Sequence, residues 1–405
     1  MKKIAKALIL IFLMFAVGVF GFTLGTHSQL ALSLNAQDSR QLSDDQTILE
    51  NIKHFRKIFK DQYYFDYQDE NLETGIYKGL FAGLEDPYSA YFTGEEFMSL
   101  MESTEGEFVG VGIVVSAGED NLITVVSPIE GSPGAKAGLK TGDKILAVDG
   151  TAYFGEDLEE ASRKMRGGEN TKVVLTVRKA NAKDNRTEEI TIQRAKITVE
   201  SVYGEILDNN IAYVRVTSFD EHTDEDLIKM VDGFIKNGAK GLVLDLRNNP
   251  GGLLTSCESI ADYFLAEGDI VITENKDKKQ EKISSDKEQV DIPMAVLVNE
   301  GSASASEILL GALRDHQRAV SIGTKTFGKG IIQQVYPLGI DPKDGGFKLT
   351  VAEYLTPNGE KIHKKGIKPD IVIELDEKAT GIGPEYMKED NQLQKALEEV
   401  EKKVK

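Results

Sequence analysis

Three segments of this chain carry groups suited to acyl transfer. The first runs Asn299-Glu300-Gly301-Ser302-Ala303-Ser304-Ala305-Ser306-Glu307-Ile308, after an apolar strand (Met294–Val298) and into a helix. A hydroxyl at such a junction is exposed, and the first N–H groups of the helix stabilise negative charge beside it. Three serines compete as nucleophile, Ser302, Ser304 and Ser306, and physical chemistry alone does not choose among them. The segment also has a plain structural use, because Ser304-x-x-Glu307 is a capping box. The second segment, Gly323-Thr324-Lys325-Thr326-Phe327-Gly328-Lys329-Gly330-Ile331-Ile332-Gln333-Gln334, sets Lys329 between two glycines in a largely uncharged run. A lysine is a general base only when neutral, and burial in an apolar pocket lowers its pKa towards working pH. Gln333 could orient the amine; alternatively Lys325 and Lys329 are surface lysines of a glycine-rich loop. The third, Asp245-Leu246-Arg247-Asn248-Asn249-Pro250-Gly251-Gly252, follows another apolar strand. Pro-Gly-Gly forces a sharp turn and exposes backbone amides, as an oxyanion requires and as any tight βα turn also does.

A fourth segment is suited to binding. In Phe108-Val109-Gly110-Val111-Gly112-Ile113 the glycines let successive amides point one way and approach a ligand closely. Such a loop captures a terminal carboxylate while the next strand edge pairs with an extended peptide. Ser132-Pro133-Gly134-Ala135-Lys136-Ala137-Gly138-Leu139 and Thr141-Gly142-Asp143-Lys144-Ile145-Leu146-Ala147-Val148-Asp149-Gly150 follow. Together these runs resemble the PDZ family. The resemblance implies a bound C-terminus or internal extended peptide held by Val109, Gly110, Val111, Gly112 and Ile113, between a Val111–Val115 strand and a Glu156–Arg166 helix. Arg166 is a lone basic residue at the end of that helix, where a cation also serves as a C-cap.

These segments need elements to position them. Asp45 to Glu105 reads as helices, with Ile48, Ile52, Phe55 and Phe59, then Leu72, Ile76, Leu80 and Leu84, at helical spacing. Asp86-Pro87 breaks the pattern. From Gly106 to Lys179 short β-type runs predict strands over Val109–Val115, Leu122–Val126 and Lys172–Val177. From Glu200 to Glu374 strands (Ile211–Val216, Gly241–Leu246, Met294–Val298) alternate with helices (Asp224–Asn237, capped by Thr223 or Asp224, and Glu307–Arg314), which predicts an α/β domain. Lys276–Glu288 is highly charged and reads as an exposed loop or hairpin, and Asn391–Lys405 as a charged amphipathic helix. The expected division is a helical region over 45–105, a PDZ domain over 106–185, an α/β core over 186–375 and a helical tail over 376–405.

Composition limits the partners. With 48 basic and 66 acidic residues among 405, the net charge is −18, which excludes a phosphate-binding, nucleic-acid partner. A lone cysteine, Cys257, rules out an internal disulfide, and five scattered histidines offer neither a His-based metal site nor a conventional Ser–His–Asp triad. Lys2, Lys3 and Lys6 precede an uncharged run from Ala7 to Thr26. That run is long enough to span a bilayer as a helix, with Met1 cytoplasmic and the rest exported. The expectation is a signal-anchor over 1–28, a linker over 29–44 and a single-pass protein of the cell membrane. A leader cleaved at Ala31-Leu32-Ser33, giving a secreted or periplasmic protein, is the alternative.

Taken together, the first three segments resemble the C-terminal processing peptidases, or tail-specific proteases. Leu84-Glu85-Asp86-Pro87-Tyr88-Ser89 and Gly366-Ile367-Lys368-Pro369-Asp370 match as well, so the resemblance runs over residues 45–375. It implies that the middle serine, Ser304, is the nucleophile and Lys329 the base, with Gln333 beside it. Oxyanion amides would come from Ala305, Gly251 and Gly252. It also implies an acyl-enzyme mechanism without metal or organic cofactor, a crotonase-like ββα core, and Arg166 as the link between peptide occupancy and the active site. Protein substrates with apolar C-termini, a homodimer through the terminal helices and an activating adaptor follow from the same source. A PDZ adaptor or chaperone at the membrane would need neither Ser304 nor Lys329, and a relative binding a small hydrophobic ligand would have no use for the PDZ module. A trypsin-like protease with a PDZ domain would carry Gly-x-Ser-Gly-Gly, which is missing.

Overall fold

The computed structural model describes residues 44–180 and 186–404. The anticipated signal-anchor, the Ala31-Leu32-Ser33 site and all of the anticipated linker but Asp44 lie outside the described residues. Among the described residues no helix is long and apolar enough to cross a membrane.

Described residues 44–71 form a unit of their own. Helix α1 (Asp44–Gln62) has the anticipated periodicity, but Ile48, Phe55 and Phe59 on it are exposed. After it, Tyr63 makes edge-on ring contacts with Phe65 and Tyr67, and Tyr64 with Phe65.

Helix α2 (Asp69–Ala82) leads through Asp86-Pro87 to strand β1 (Ala90–Phe92) and helix α3 (Gly94–Glu105). Thr93 and Glu96 cap α3 reciprocally, and Gly106 ends it in the left-handed conformation at φ 71°. The β-rich part follows: β2 (Glu107–Gly110), β3 (Ile113–Ala117), β4 (Ile123–Pro128), helix α4 (Pro133–Lys136), β5 (Lys144–Val148), β6 (Thr151–Ala152), helix α5 (Leu158–Met165), β7 (Lys172–Arg178), β8 (Thr187–Gln193) and β9 (Ala195–Thr198). The order β3-β4-β5-β7-β8 makes one antiparallel sheet, with β6 against β5, while β2 pairs β9 separately. Alternate residues of β7 (Val173, Leu175, Val177) pack with Ile123, Val125 and Ile145 in a core of their own.

Two expectations for this part need correction. The continuous strand over Val109–Val115 is broken at Val111-Gly112, because Gly112 sits at φ 72° and a Cβ there would lie 2.3 Å from Ser132 Cβ. The helix expected over Glu156–Arg166 begins as a 3₁₀ turn at Gly155–Asp157 and is α-helical only from Leu158 to Met165.

The rest of the chain forms β10 (Val202–Ile206), β11 (Ile211–Val216), α6 (Thr223–Lys236), β12 (Gly241–Asp245), α7 (Leu254–Phe264), β13 (Gly268–Asn275), β14 (Gln280–Ser285), β15 (Met294–Val298), α8 (Ala305–Asp315), β16 (Val320–Gly323), β17 (Ile331–Pro337), β18 (Gly346–Leu355), β19 (Ile371–Val372) and α9 (Asn391–Val404). Six strands in the order β10-β11-β12-β15-β16-β19 make a sheet that is parallel from β11 onward. Both faces are covered, which is why its strands read as unbroken apolar runs. Leu242, Leu244, Val296 and Val298 pack with residues of α6, α7 and α8, including Leu227, Ile260 and Leu309. Val243, Ala295 and Leu297 face the other way, against Leu393, Ala396 and Val400 of α9. The charged C-terminal helix is therefore not a loose tail but one layer of this core. A second sheet, β1-β18-β13-β14 with β17 on β18, lies in the same unit. The charged Lys276–Glu288 stretch is the turn and second strand of its β13–β14 hairpin.

Candidate active site

Three neighbouring parallel strands end at one edge of the six-stranded sheet. From β12 the chain enters the Asn248–Gly252 turn, from β15 the three-serine turn, and from β16 the loop that carries Lys329. The carboxyl ends of parallel strands are where open α/β sheets place their sites.

Under the first turn lies a buried ionic network. The Arg247 guanidinium, wholly inaccessible, pairs with Asp245 at 2.6 Å and with Asp390, just before α9, at 2.8 Å. Its fifth donor group is met by Gln392 at 3.0 Å, and Tyr213 donates to Asp245 at 2.7 Å. The two carboxylates hold the Arg247 pKa above its ordinary value against the cost of burial, and burial together with Asp245 raises that of Tyr213. A turn that must hold amides in place is thus anchored to an element nearly 150 residues away.

The three serines differ once folded. Ser302 and Ser306 are fully buried, and their hydroxyls donate to backbone carbonyls of the first turn, Leu246 at 2.7 Å and Asn249 at 3.0 Å. They stitch the two turns together. Ser304 is half-buried, its hydroxyl makes no hydrogen bond among the described residues (Glu307 N donates to its carbonyl instead, at 2.8 Å), and it sits at φ 55°, a conformation L-residues seldom adopt. The Ala305 N–H behind it has no acceptor among the described residues. Gly251 abuts this turn so closely that a Cβ on it would lie 2.7 Å from Ser304 Cβ. The Gly251 N–H is taken by Asn249 Oδ1 at 2.8 Å, whereas the Gly252 N–H has no acceptor among the described residues. Gly252 is itself required, since a Cβ there would fall 2.0 Å from the Phe219 carbonyl.

Lys329 is half-buried and its Nζ makes neither a hydrogen bond nor an ion pair among the described residues. Burial lowers its pKa, the nearby charge of Lys348 lowers it further, and Glu307 opposes both. Its Nζ lies 5.2 Å from the centre of the Tyr88 ring, and no hydrogen bond joins it to Ser304. Gln333, on β17, turns its amide to the Ile331 carbonyl at 3.4 Å and does not reach the amine.

Two groups absent from the sequence-based site tie the nucleophile turn to the lysine loop. The fully buried Glu307 carboxylate accepts from Ser304 N at 3.1 Å, Lys329 N at 2.8 Å, Gly328 N at 2.8 Å and Thr326 Oγ1 at 2.5 Å. Burial raises its pKa, and those four donors pull it back. The buried Tyr354 hydroxyl lies between the carbonyls of Ser304, at 3.0 Å, and Lys329. Glu307 was legible only as a capping residue, and nothing in the sequence marks Tyr354. Beside Gly328 a cavity of about 710 Å³ opens, lined in part by Asp86, Tyr88, Phe327, Ile331 and His363 but by neither Lys329 nor Ser304.

The peptide-binding candidates are gathered in the β-rich part. Strand β3 is a sheet edge paired only with β4, and α5 packs beside it. The Val111 and Gly112 N–H groups have no acceptor among the described residues, and Ile113 opens the strand edge. Val109 and Gly110 lie in β2, where the Val109 carbonyl accepts from Gly167. Arg166 is the C-cap residue of α5 through its backbone N–H, which donates to Ser162 O at 3.2 Å, but its side chain does not meet the helix end. It lies over the Phe108 ring at 4.9 Å and pairs with Glu102 of α3 at 3.4 Å. The cation at the helix end is Arg194, which donates to the carbonyls of Lys164 at 2.7 Å and Met165 at 3.2 Å.

An α/β sheet with a serine turn and a lysine loop at its carboxyl edge, next to a PDZ-type sandwich, defines a peptidase with a peptide-binding module. Family models agree: residues 210–373 match peptidase family S41 and residues 124–179 a PDZ domain. The carboxy-terminal processing protease CtpA of Bacillus subtilis (strain 168) is 41% identical over 78% of this chain and 67% of its own. A carboxy-terminal-processing protease of Bartonella bacilliformis is 40% identical over 90% of this chain and 84% of its own. A solved S41 protease from Bacteroides fragilis NCTC 9343 shares the fold, with TM-score 0.52 at 17% identity over 80% of this chain and 88% of that one. The chain belongs to peptidase family S41, among the carboxy-terminal processing proteases, and is a serine peptidase.

Proposed function

We propose that this protein is a membrane-anchored endopeptidase that cuts the C-terminal regions of other proteins through a Ser304–Lys329 dyad, with the PDZ groove selecting or gating the substrate. The observation that carries this is the division of labour among the serines. Two are spent on structure, and the third is unbonded, strained and backed by a free helix N–H.

Neutral Lys329 takes the Ser304 proton as Oγ attacks the scissile carbonyl. The oxyanion is held by the Ala305 N–H and by the Pro-Gly-Gly turn, where Gly252 offers an unengaged N–H and Gly251 offers one only by releasing Asn249. The amine leaves with the proton from Lys329, and water then releases the acyl group by the reverse path. Gln333 orients the amine once its side chain turns from Ile331. The unjoined dyad supports a resting enzyme that substrate, or an activating partner, completes.

The strand–helix order of the core supports a crotonase-like ββα architecture. The open β3 edge and the free Val111 and Gly112 amides support capture of an apolar C-terminus by strand addition. Exposed Leu80 and Leu84 support a homodimer through the N-terminal helices. The basic-then-apolar N-terminus supports a single-pass anchor with the peptidase outside the cytoplasm. The test is cleavage of an unfolded protein with an apolar C-terminus, followed by mass spectrometry. Wild type should cut, and Ser304→Ala and Lys329→Ala should not; equal cutting by Ser304→Ala would overturn the assignment.

A further inference from the structure

Lys329 has a neighbour that the dyad chemistry does not use. Tyr88 lies in the Asp86–Ser89 turn, far from Lys329 in sequence, and its ring lies 5.2 Å from Nζ. The turn is held firmly: Asp86 accepts from Tyr88 N at 3.0 Å and from Ser89 Oγ at 2.5 Å, and Ser89 Oγ accepts from Thr350 N at 2.9 Å. The His363 ring meets Tyr88 edge-on at 6.5 Å. The Tyr88 hydroxyl makes no hydrogen bond among the described residues, so what the side chain offers the amine is its face. A ring face within about 6 Å attracts an ammonium and not a neutral amine.

We infer that Tyr88 is the positioning residue of the general base: its ring holds protonated Lys329 away from Ser304 in the resting enzyme and sets the pH at which the dyad becomes competent. This rests on Lys329 being the base. The other charged groups acting on the amine are Lys348, from β18, and Glu307, from α8. His363 and Asp86 adjoin Tyr88, and the His363–Lys365 segment packs on the lysine loop, where Lys364 N donates to Gly328 O at 2.8 Å. The geometry accounts for an Nζ that meets a ring face and makes no hydrogen bond among the described residues. It also gives substrate a part in activation, because Tyr88 lines a cavity that reaches Gly328, next to Lys329 in the chain, and a chain entering there meets the ring.

The sign follows from which state the ring favours. Tyr88 stabilises the ammonium and so raises the pH needed for a neutral amine. Replacing the face with an apolar side chain that still excludes water should move the acid limb of activity to lower pH, by roughly 0.4–1.5 pH units. Below the limb, the rate should rise roughly 3- to 30-fold. The readout is the rate at which a small alkyl fluorophosphonate labels Ser304 in the full-length protein, from acid to alkaline pH, with fold checked by circular dichroism. Tyr88→Phe should keep the wild-type limb. Tyr88→Leu should shift it down, as should Tyr88→Met if Leu does not fold, and the shift should persist in a His363→Gln background. A limb unmoved in Tyr88→Leu, or moved to higher pH, overturns the role given to Tyr88, as does a Tyr88→Phe limb that moves with it. Lys329→Ala separates the two levels. If it labels as fast as wild type, the base assignment itself fails; if it is silent while Tyr88→Leu keeps the wild-type limb, only the Tyr88 role fails.

Discussion

The edge of the core that carries Ser304 and Lys329 and the open β3 edge of the PDZ part face the same problem with different support. Each presents a pair of backbone N–H groups with no acceptor among the described residues, at Gly252 and Ala305 in one and at Val111 and Gly112 in the other. Each uses glycine at positive φ to do so, Gly252 at 149° and Gly112 at 72°. The Gly252–Ala305 pair rests on buried groups whose partners come from distant parts of the chain: Arg247, Glu307, Ser302, Ser306 and Tyr354. The groove pair rests on neighbours nearer in the chain, since Ser132 donates to the Gly112 carbonyl at 2.8 Å and Gly134 N to the Val111 carbonyl at 2.6 Å, and the Arg166–Glu102 ion pair lies at the surface with 44% and 30% of the side chains exposed. An oxyanion lasts only as long as the transition state and needs donors fixed beforehand. A peptide that binds and leaves needs a site that can give.

That contrast can be broken from either side. The largest effect should come from Arg247→Ala, which strands Asp245 and Asp390 without a counter-charge. Breaking one partner of a buried pair costs about 3–5 kcal/mol, so thermal melting should fall by several degrees or the core should fail to fold. Gly252→Ala should come next. Its Cβ would be forced 2.0 Å from Phe219 O, and loss of a positioned donor costs roughly 10²–10³-fold in kcat, to be read by steady-state cleavage. Gly112→Ala should act only on the groove. Binding of an apolar C-terminal peptide, followed by calorimetry, should weaken roughly tenfold or more, the worth of about one hydrogen bond to a charged group, while Ser304 still reacts with a small acylating probe. Smallest in stability should be Arg166→Ala, since such an exposed pair is worth about 0–1 kcal/mol. If Arg166 couples groove and core, cleavage of a PDZ-binding protein should nevertheless fall. Equal cleavage by Arg166→Ala would make it a surface contact and nothing more.

The pH dependence of the core sharpens the comparison further. Burial and Lys348 lower the Lys329 pKa below the ordinary lysine value. Activity should therefore rise with pH through that lowered value, reaching its plateau earlier than an exposed lysine would allow. Peptide binding to the groove, which relies on backbone amides, should stay flat over the same range.

Much of this was legible before folding was considered. The apolar runs at Gly241–Asp245 and Met294–Val298 announce two-sided burial, and the glycine-rich turns after them announce exposed amides. What could not be read is whatever depends on pairing across distance. The three serines look alike until Leu246 O and Asn249 O claim two of them. Arg247 reads as one more residue of a turn until Asp390 meets it from the far end of the chain. The C-terminal helix reads as a charged tail because its apolar stripe (Leu393, Ala396, Val400) is narrow, yet it forms a layer over the sheet. Tyr88 stands in a recognisable motif, but only folding brings its ring to Lys329. In the groove the sequence pattern overreached, since β-branched residues on both sides of Gly112 suggest one strand where a left-handed glycine makes two.

The most direct test of the central claim is to label the full-length protein with a fluorophosphonate and map the modified peptide. The division of labour among the serines predicts that Ser304 alone carries the adduct, and that Lys329→Ala abolishes it while the fold persists. An adduct on Ser302 or Ser306, or unchanged labelling in Lys329→Ala, would contradict it.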